Sequence, residues 1–375
     1  MDSLHFEVTA TDGETAARTG RLSLRSGTVE TPVFMPVGSR GTVRGLTPGQ
    51  LRECGATMLL ANAYHLALRP GAEQVAELGG LHAFMGWDGP TLTDSGGYQV
   101  FSLAEHRDIT EDGVSFRSPV DGAEIFLGPA ECMRIQSLLG ADVAMVLDQC
   151  PPYPCEREAA ETAVERTLRW GRACRRHHDR GDQALFGIVQ GGVYEDLRQR
   201  SARATVEIGF DGYAIGGVSV GESDELRRRA VEFTAALLPT DRPRYLMGVG
   251  FPLDLVHAVG QGIDMFDCVA PTRMGRNATA FTPDGRLRVR NSACRDDPAP
   301  VQDGCGCLCC RLYSRAYLNH MFRTGEMLGP ILLSIHNLNF YCSLMARARE
   351  AIGTGRYARF RDEFVGRYME GETGQ

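Results

Sequence analysis

The sequence predicts an α/β protein, a (β/α)8 TIM-type barrel with insertions and a C-terminal appendage. Three observations predict it. Eight short apolar runs bounded by turn residues recur along the chain, at residues 32–37, 57–62, 91–94, 143–148, 185–190, 213–216, 245–249 and 263–269. Such runs suit parallel strands buried on both faces, and helix-length segments separate most of them. Several runs close on a polar residue, Asp94, Asp148, Gln190 or Asp267, and in a barrel the strand ends share the face that holds the functional site. A doubly wound sheet would ask for Gly-x-Gly-x-x-Gly after the first strand, and none occurs there.

Taken in order, residues 4–9 and 21–24 read as an N-terminal hairpin within a region 1–30 packed on the barrel, and residues 31–285 as the barrel itself. Within it, 159–176 and 194–208 carry helical spacing of apolar positions. Residues 114–127 break the alternation and read as an inserted hairpin turning at Val120-Asp121-Gly122. A subdomain over 286–345 follows. Residues 346–375 form a C-terminal region in which 346–368 reads as an Arg/Glu-rich amphipathic helix associated with the barrel.

Composition removes several chemistries. The 40 basic residues are all arginine, so lysine Schiff bases, lysine general bases and a Walker-type phosphate loop are excluded. A net charge of −7 argues against a protein that coats nucleic acid without specificity, though it allows a local basic patch. One candidate patch holds Arg273, Arg276, Arg286, Arg288, Arg290 and Arg295 against the single acid Asp284; its plain reading is a solvated charged loop. No stretch reaches the roughly 18 apolar residues of a membrane span, and the N-terminus is polar and acidic, so a cytoplasmic protein is expected.

Twelve cysteines scattered through a chain of 375 residues do not suggest a disulfide framework, but Cys305, Cys307, Cys309 and Cys310 fall within six residues. That is more thiolate than a tetrahedral site needs, and His320 and His336 downstream are possible fourth ligands. Zinc is the expected occupant. Four protein ligands leave no open position, so the ion would be structural. Two acids stand out as well. Asp94 opens Asp-Ser-Gly-Gly-Tyr98-Gln, where two glycines and an aromatic would let backbone approach a flat ligand; a plain capped turn explains the motif about as well. Asp267 lies in an apolar strand pattern, with Asp264 on the opposite face. A buried acid needs a reason, and pairing with Arg273 or Arg276 is the structural one. Together the two acids fit the nucleophile and acid/base of retaining glycoside chemistry.

The chain resembles the tRNA-guanine transglycosylase family, bacterial type. The resemblance rests on Thr93-Asp-Ser-Gly-Gly-Tyr-Gln-Val, Gly187-Ile-Val-Gln-Gly-Gly, Tyr213-Ala-Ile-Gly-Gly-Val, Tyr245-Leu-Met-Gly-Val-Gly, Asp264-Met-Phe-Asp-Cys-Val-Ala-Pro-Thr-Arg and Cys305-x-Cys-x-x-Cys. It implies that Asp267 attacks C1′ of the wobble guanosine to give a covalent RNA ester, while Asp94 serves as general acid and then base. It further implies that Asp148 accepts from the guanine N1 and N2 edge, that Gln190 and the Gly217 amide bind O6, and that Tyr98 and Met247 sandwich the ring. Cys150, Gly216, Val218 and Gly248 complete the implied base pocket.

By the same resemblance the zinc ligands are Cys305, Cys307, Cys310 and His336, leaving Cys309 spare and His320 outside. Arg273, Arg276 and Arg286 would lie along the RNA. The implied partners are a tRNA with a U-G-U anticodon-loop context, a deazaguanine base and a second copy of the chain in a homodimer. Cys150, Val220 and Glu222 resemble the pocket that takes 7-aminomethyl-7-deazaguanine; queuine as incoming base is the alternative. Gln149 stands where the family usually has Glu, Val218 where Leu is common.

Two other classes compete. A non-catalytic RNA-binding partner subunit would keep the fold and the metal, but both aspartates are retained. A metal-dependent barrel hydrolase would carry His-x-His on an early strand, and His65 stands alone there as a core or capping histidine.

Overall fold

The computed structural model describes residues 3–103 and 107–373. Its centre is a ring of eight parallel strands: β1 (Val33–Pro36), β2 (Leu59–Ala61), β3 (Thr91–Thr93), β4 (Val143–Met145), β5 (Ala184–Val189), β6 (Gly212–Ile215), β7 (Arg244–Leu246) and β8 (Met265–Cys268). Their order is β1-β8-β7-β6-β5-β4-β3-β2. A parallel bridge between Val37 and Leu60, with the Gly38 amide donating to the Leu60 carbonyl at 2.6 Å, joins the two ends. Every apolar run singled out in the sequence overlaps one of these strands, and five contain theirs whole; Ala184, Gly212 and Arg244 begin β5, β6 and β7 one residue ahead of their runs. Nearly all strand residues are buried, as expected where side chains of one face fill the barrel and those of the other meet the surrounding helices.

The helices outside the ring follow their apolar stripes. Arg157–His177 buries Ala160, Ala163, Val164, Thr167, Leu168, Gly171 and Cys174, a spacing of three and four residues that keeps one face inward. Glu195–Ile208 does the same through Leu197, Ser201, Ala202 and Thr205. Asp224–Ala235 begins on Ser223, whose hydroxyl accepts from the Leu226 amide and caps the first turn.

The appendages differ in detail from the sequence reading. The N-terminal hairpin has a third strand, so Leu4–Thr11, Arg18–Leu24 and Gly27–Thr31 form an antiparallel sheet. The third strand, Gly-Thr-Val-Glu-Thr, alternates polar and apolar residues over too few positions to announce itself. The inserted hairpin also gains a strand: Arg107–Ile109 precedes Val114–Arg117 and Glu124–Leu127, and the expected turn closes with the Gly122 amide on the Ser118 carbonyl.

At the C-terminus, a helix predicted over 346–368 is instead parts of two. Leu328–Gly353 is one helix of 26 residues, and Tyr357–Thr373 follows a break at Gly355, whose φ of +63° no helix accommodates. The long helix crosses the boundary drawn at 345/346, and the boundary at 285/286 falls inside a strand, Gly285–Arg288, of the hairpin it forms with Thr279–Thr282. Buried Asn337 anchors the long helix. Its Oδ1 accepts from the Phe281 amide and its Nδ2 donates to the Pro271 and Thr279 carbonyls, tying helix, hairpin and barrel lip together. Among the described residues no helix is long and apolar enough to cross a membrane.

Candidate active site and metal centre

The carboxyl-terminal ends of the strands bring the sequence-flagged polar residues to one mouth: Asp94 directly after β3, Asp148 just beyond β4, Gln190 directly after β5, and Asp267 within β8. Asp94 is 8% exposed. Its Oδ1 accepts from the Ala63 amide at 2.8 Å, and its Oδ2 from Gln99 Nε2 at 2.8 Å and from Asn62 Nδ2. Burial nevertheless outweighs these donors and pushes the carboxyl up to about 6, with the charge of Asp267 adding to the rise. The two acids therefore sense each other across the mouth.

Asp148 is buried on the other side of the Asp94 turn. Gln190 Nε2 donates to its Oδ2 at 2.6 Å and the Ser95 hydroxyl to Oδ1 at 3.4 Å. Burial again dominates and raises the acid to about 6. A Cβ on Gly97 would lie 2.7 Å from the Asp148 carbonyl oxygen and 3.0 Å from Oδ1, so the second glycine of the Asp-Ser-Gly-Gly motif lets these two loops touch. Gly217, at φ +65°, plays the same part beside Gln190, whose Oε1 is buried without a hydrogen-bond partner among the described residues.

Asp267 is half-buried, and its Oδ1 accepts from the Tyr245 hydroxyl at 2.6 Å and from the Gly248 amide at 2.8 Å. Burial raises its pKa and these two donors oppose the rise. The ion pair with Arg273 or Arg276 that would have made it a structural acid is absent among the described residues. Asp264 is the arginine-paired acid. It is fully buried and takes both forks of Arg18, Nε at 3.0 Å and Nη2 at 2.6 Å, together with the Arg244 amide at 2.7 Å. Successive strand positions explain the division: Asp264 precedes β8 at the end covered by the N-terminal sheet, and Asp267 lies toward the opposite end.

Around these acids, Tyr98 stands 53% exposed on the helix Gly97–Leu103, Met247 and Cys150 are half-buried, Val218 and Gly216 are buried, and Gly248 is exposed. Glu222, also buried, accepts from the Ser219 amide and, at 2.9 Å, from the Val220 amide. Because a peptide N–H and its C=O point in opposite directions, this grip turns the Val218 carbonyl away from Glu222. Gln149 Oε1 accepts from Arg166 Nη1 at 2.5 Å, on the helix side of the strand end. Asn62, Gln99 and Tyr245 were not singled out from the sequence. Asn62 had the same signal as Asp94, a polar residue closing an apolar run.

Arg273 and Arg276 sit on Ala270–Arg276, the helix that leaves β8. Arg286 is engaged elsewhere: its Nε and Nη2 bind the Glu372 carboxylate, and its amide donates to Glu372 Oε1 at 2.7 Å. The last helix thus clamps the hairpin through Arg286. Arg288 and Arg290 line a recess of roughly 340 Å³ with it.

The cysteine cluster resolves as three thiols and one imidazole. Cys305, Cys307, Cys310 and His336 place their ligand atoms within 4.8 Å of one another, a group that could hold a metal ion. The three sulfurs lie 3.8, 3.7 and 3.3 Å from His336 Nδ1. A tetrahedral zinc with bonds of about 2.3 Å to sulfur and about 2.0 Å to nitrogen spaces such ligands by roughly 3.6 Å. His336 Nε2 donates to the Phe281 carbonyl at 2.9 Å, which puts the ring proton on that nitrogen and leaves the Nδ1 lone pair facing the thiols. Cys309 is buried outside the group and His320 is exposed.

Comparison with known proteins agrees with this arrangement. A family model described as queuine tRNA-ribosyltransferase matches residues 12–370. The chain is 54% identical over 367 residues to a protein of Pelotomaculum thermopropionicum named queuine tRNA-ribosyltransferase, covering 98% of this chain and 99% of that one. Proteins of the same name from Stenotrophomonas maltophilia and Nitrosomonas europaea are each 53% identical, with 97% of both chains covered. A match of that depth along nearly the whole length admits one conclusion: this chain belongs to the queuine tRNA-ribosyltransferase family.

Proposed function

We propose that the protein exchanges the wobble guanine of tRNA for 7-aminomethyl-7-deazaguanine by double displacement. In the first step an Asp267 carboxylate oxygen attacks C1′, the C1′–N9 bond breaks with its electron pair leaving on guanine, and Asp94 supplies the proton. In the second step the incoming base loses its N9 proton to Asp94, attacks C1′ and releases the Asp267 carboxylate. No net change of charge or oxidation state occurs. The observation that carries this reading is the pair of acids at one mouth, one of them raised to about 6 by burial and by the other's charge. A carboxyl poised there can give a proton and take it back at neutral pH.

The remaining assignments follow the resemblance. Asp148 accepts from the N1 and N2 edge of the base, Gln190 and the Gly217 amide take O6, Tyr98 and Met247 cover its faces, and Cys150, Gly216, Val218 and Gly248 shape the floor. The Val218 carbonyl, turned away from Glu222, can accept from an aminomethyl ammonium, and Cys150 with Val220 resembles a pocket in which queuine's added cyclopentene ring would be crowded, which favours the smaller base. Zinc at Cys305, Cys307, Cys310 and His336 would be structural, holding the Cys305–Cys310 segment against the long helix that carries His336. Arg273 and Arg276, with Arg286 at the edge of the recess, would follow the RNA. By resemblance the enzyme is a homodimer acting on tRNAs with a U-G-U anticodon-loop context, and its composition fits the cytoplasm.

The test is exchange of radiolabelled guanine into unmodified tyrosine tRNA by wild type and by Asp267→Asn, with a denaturing gel for RNA covalently bound to protein. Exchange and trapped RNA with wild type only is the expected result. Wild type that is inert with metal bound would point instead to a non-catalytic partner subunit.

A further inference from the structure

The helix Glu195–Ile208, which follows β5, buries two polar side chains three residues apart on one face, Arg198 and Ser201. The Ser201 hydroxyl accepts from the Gln190 amide at 3.1 Å. Arg198 is fully buried. Its Nε donates to the Gly192 carbonyl at 2.6 Å, its Nη2 to the Gly216 and Gly217 carbonyls at 3.1 and 3.3 Å, and its Nη1 to the Thr234 hydroxyl at 3.5 Å. One guanidinium thus joins the turn after β5 to the turn after β6, the two turns that carry Gln190 and Gly217. The packing is close: a Cβ on Gly191 would lie 2.7 Å from the Arg198 amide nitrogen.

A buried cation ordinarily has an anion beside it. Among the described residues Arg198 forms no ion pair, and the four groups it binds are neutral. Burial lowers its pKa to about 10, with Glu222 opposing from beyond ion-pair distance, so it keeps its charge at neutral pH. What a guanidinium adds here is a rigid fork of donors that reaches the carbonyls of two turns at once. A peptide C=O and its N–H point in opposite directions. Fixing the Gly216 carbonyl on Arg198 therefore turns the Gly217 N–H away from the helix, and fixing the Gly217 carbonyl does the same for the Val218 N–H. The Gly217 amide faces the Cys150 thiol, on the pocket side.

We infer that Arg198 is a positioning residue for the 6-oxo group of the purine, aiming the Gly217 amide through the Gly216 and Gly217 carbonyls and holding the Gln190 turn through Gly192. This rests on the transglycosylase reading, which places O6 of the base against Gln190 and Gly217. Arg198 itself touches neither base nor RNA.

The test compares wild type with Arg198→Met, which keeps a long side chain and removes its donors, in exchange of labelled guanine with 6-thioguanine as competing base. 6-Thioguanine keeps the N1 and N2 edge but offers sulfur, a weak acceptor, in place of O6. Arg198→Met is expected to raise KM for guanine about tenfold, the worth of one well-aimed hydrogen bond, and to change the inhibition constant of 6-thioguanine by less than about twofold. Equal losses for both bases, with wild type still exchanging guanine, would leave Arg198 a purely structural part and overturn the inference while the enzymatic reading stands. Wild type that neither exchanges nor binds guanine would overturn both. If Arg198→Met does not fold, Arg198→Lys decides by the same ratio. It keeps the charge and loses the fork, so guanine should still lose ground against 6-thioguanine, and an unchanged ratio overturns the inference.

Discussion

The Tyr245 hydroxyl donates to Asp267 Oδ1 at 2.6 Å, and the Gly248 amide reaches the same oxygen at 2.8 Å. Both donors favour the carboxylate against the burial that raises its pKa. Tyr245→Phe removes one donor and keeps the ring, so the Asp267 pKa should rise further. A protonated Asp267 cannot attack, so the acid limb of kcat against pH should move to higher pH, by about one unit. A profile that superimposes on wild type would show that Tyr245 does not set the state of this acid.

Asp148 is raised to about 6 by burial, above its usual 3.8. The sign follows: below pH 4 folded and unfolded chains both hold the proton and nothing is lost. Between pH 4 and 6 the unfolded chain ionises first, so the carboxyl costs stability, and above 6 the cost is full, on the order of 3 kcal/mol. Asp148→Asn should therefore melt a few degrees higher than wild type at pH 7, with the gap closing by pH 4, while base binding is lost. Calorimetry at the two pH values checks this.

Cys309 stands one residue from a ligand and lies outside the cluster of Cys305, Cys307, Cys310 and His336. Cys310→Ser should lose the metal and unfold the C-terminal region, whereas Cys309→Ser should keep one ion per chain and lose only about 1–2 kcal/mol from burying a hydroxyl. Elemental analysis beside a thermal melt separates the two; metal loss in Cys309→Ser would reassign the ligand set.

Glu222 holds the Ser219 and Val220 amides. In Glu222→Gln one acceptor becomes a donor facing an N–H, so the peptide should turn and its carbonyl leave the pocket. KM for 7-aminomethyl-7-deazaguanine should then rise about tenfold, the worth of one charge-assisted hydrogen bond, with a smaller change for guanine. Equal changes for both bases would remove Glu222 from base selection.

Much of this was legible before any coordinates. The eight apolar runs overlap the eight barrel strands because a strand buried on both faces has few polar positions to interrupt its run. Asp94, Asp148, Gln190 and Asp267 stood out for the converse reason: a polar side chain at the end of such a run either reaches the mouth or costs free energy. The third strand of each appended sheet went unread because a short half-exposed strand looks like loop. The C-terminal helix was misread because Arg/Glu periodicity continues across Gly355, and only the left-handed backbone there ends it.

By itself, then, the sequence determined the barrel, the two acids and a cysteine cluster fit for a metal, since burial periodicity and ligand chemistry are local properties of the chain, while the folded chain gathered Cys305, Cys307 and Cys310 about His336 rather than His320. The tertiary structure decided which acid is paired with arginine and which faces the barrel mouth without such a pair. Asp264 and Asp267 look alike in one dimension, and only the folded chain brings Arg18, 246 residues away, to the first and Tyr245 with Gly248 to the second. It likewise set Arg286 against Glu372. Long-range pairing of charges depends on which loops share an end of the barrel, and spacing along the chain does not encode that.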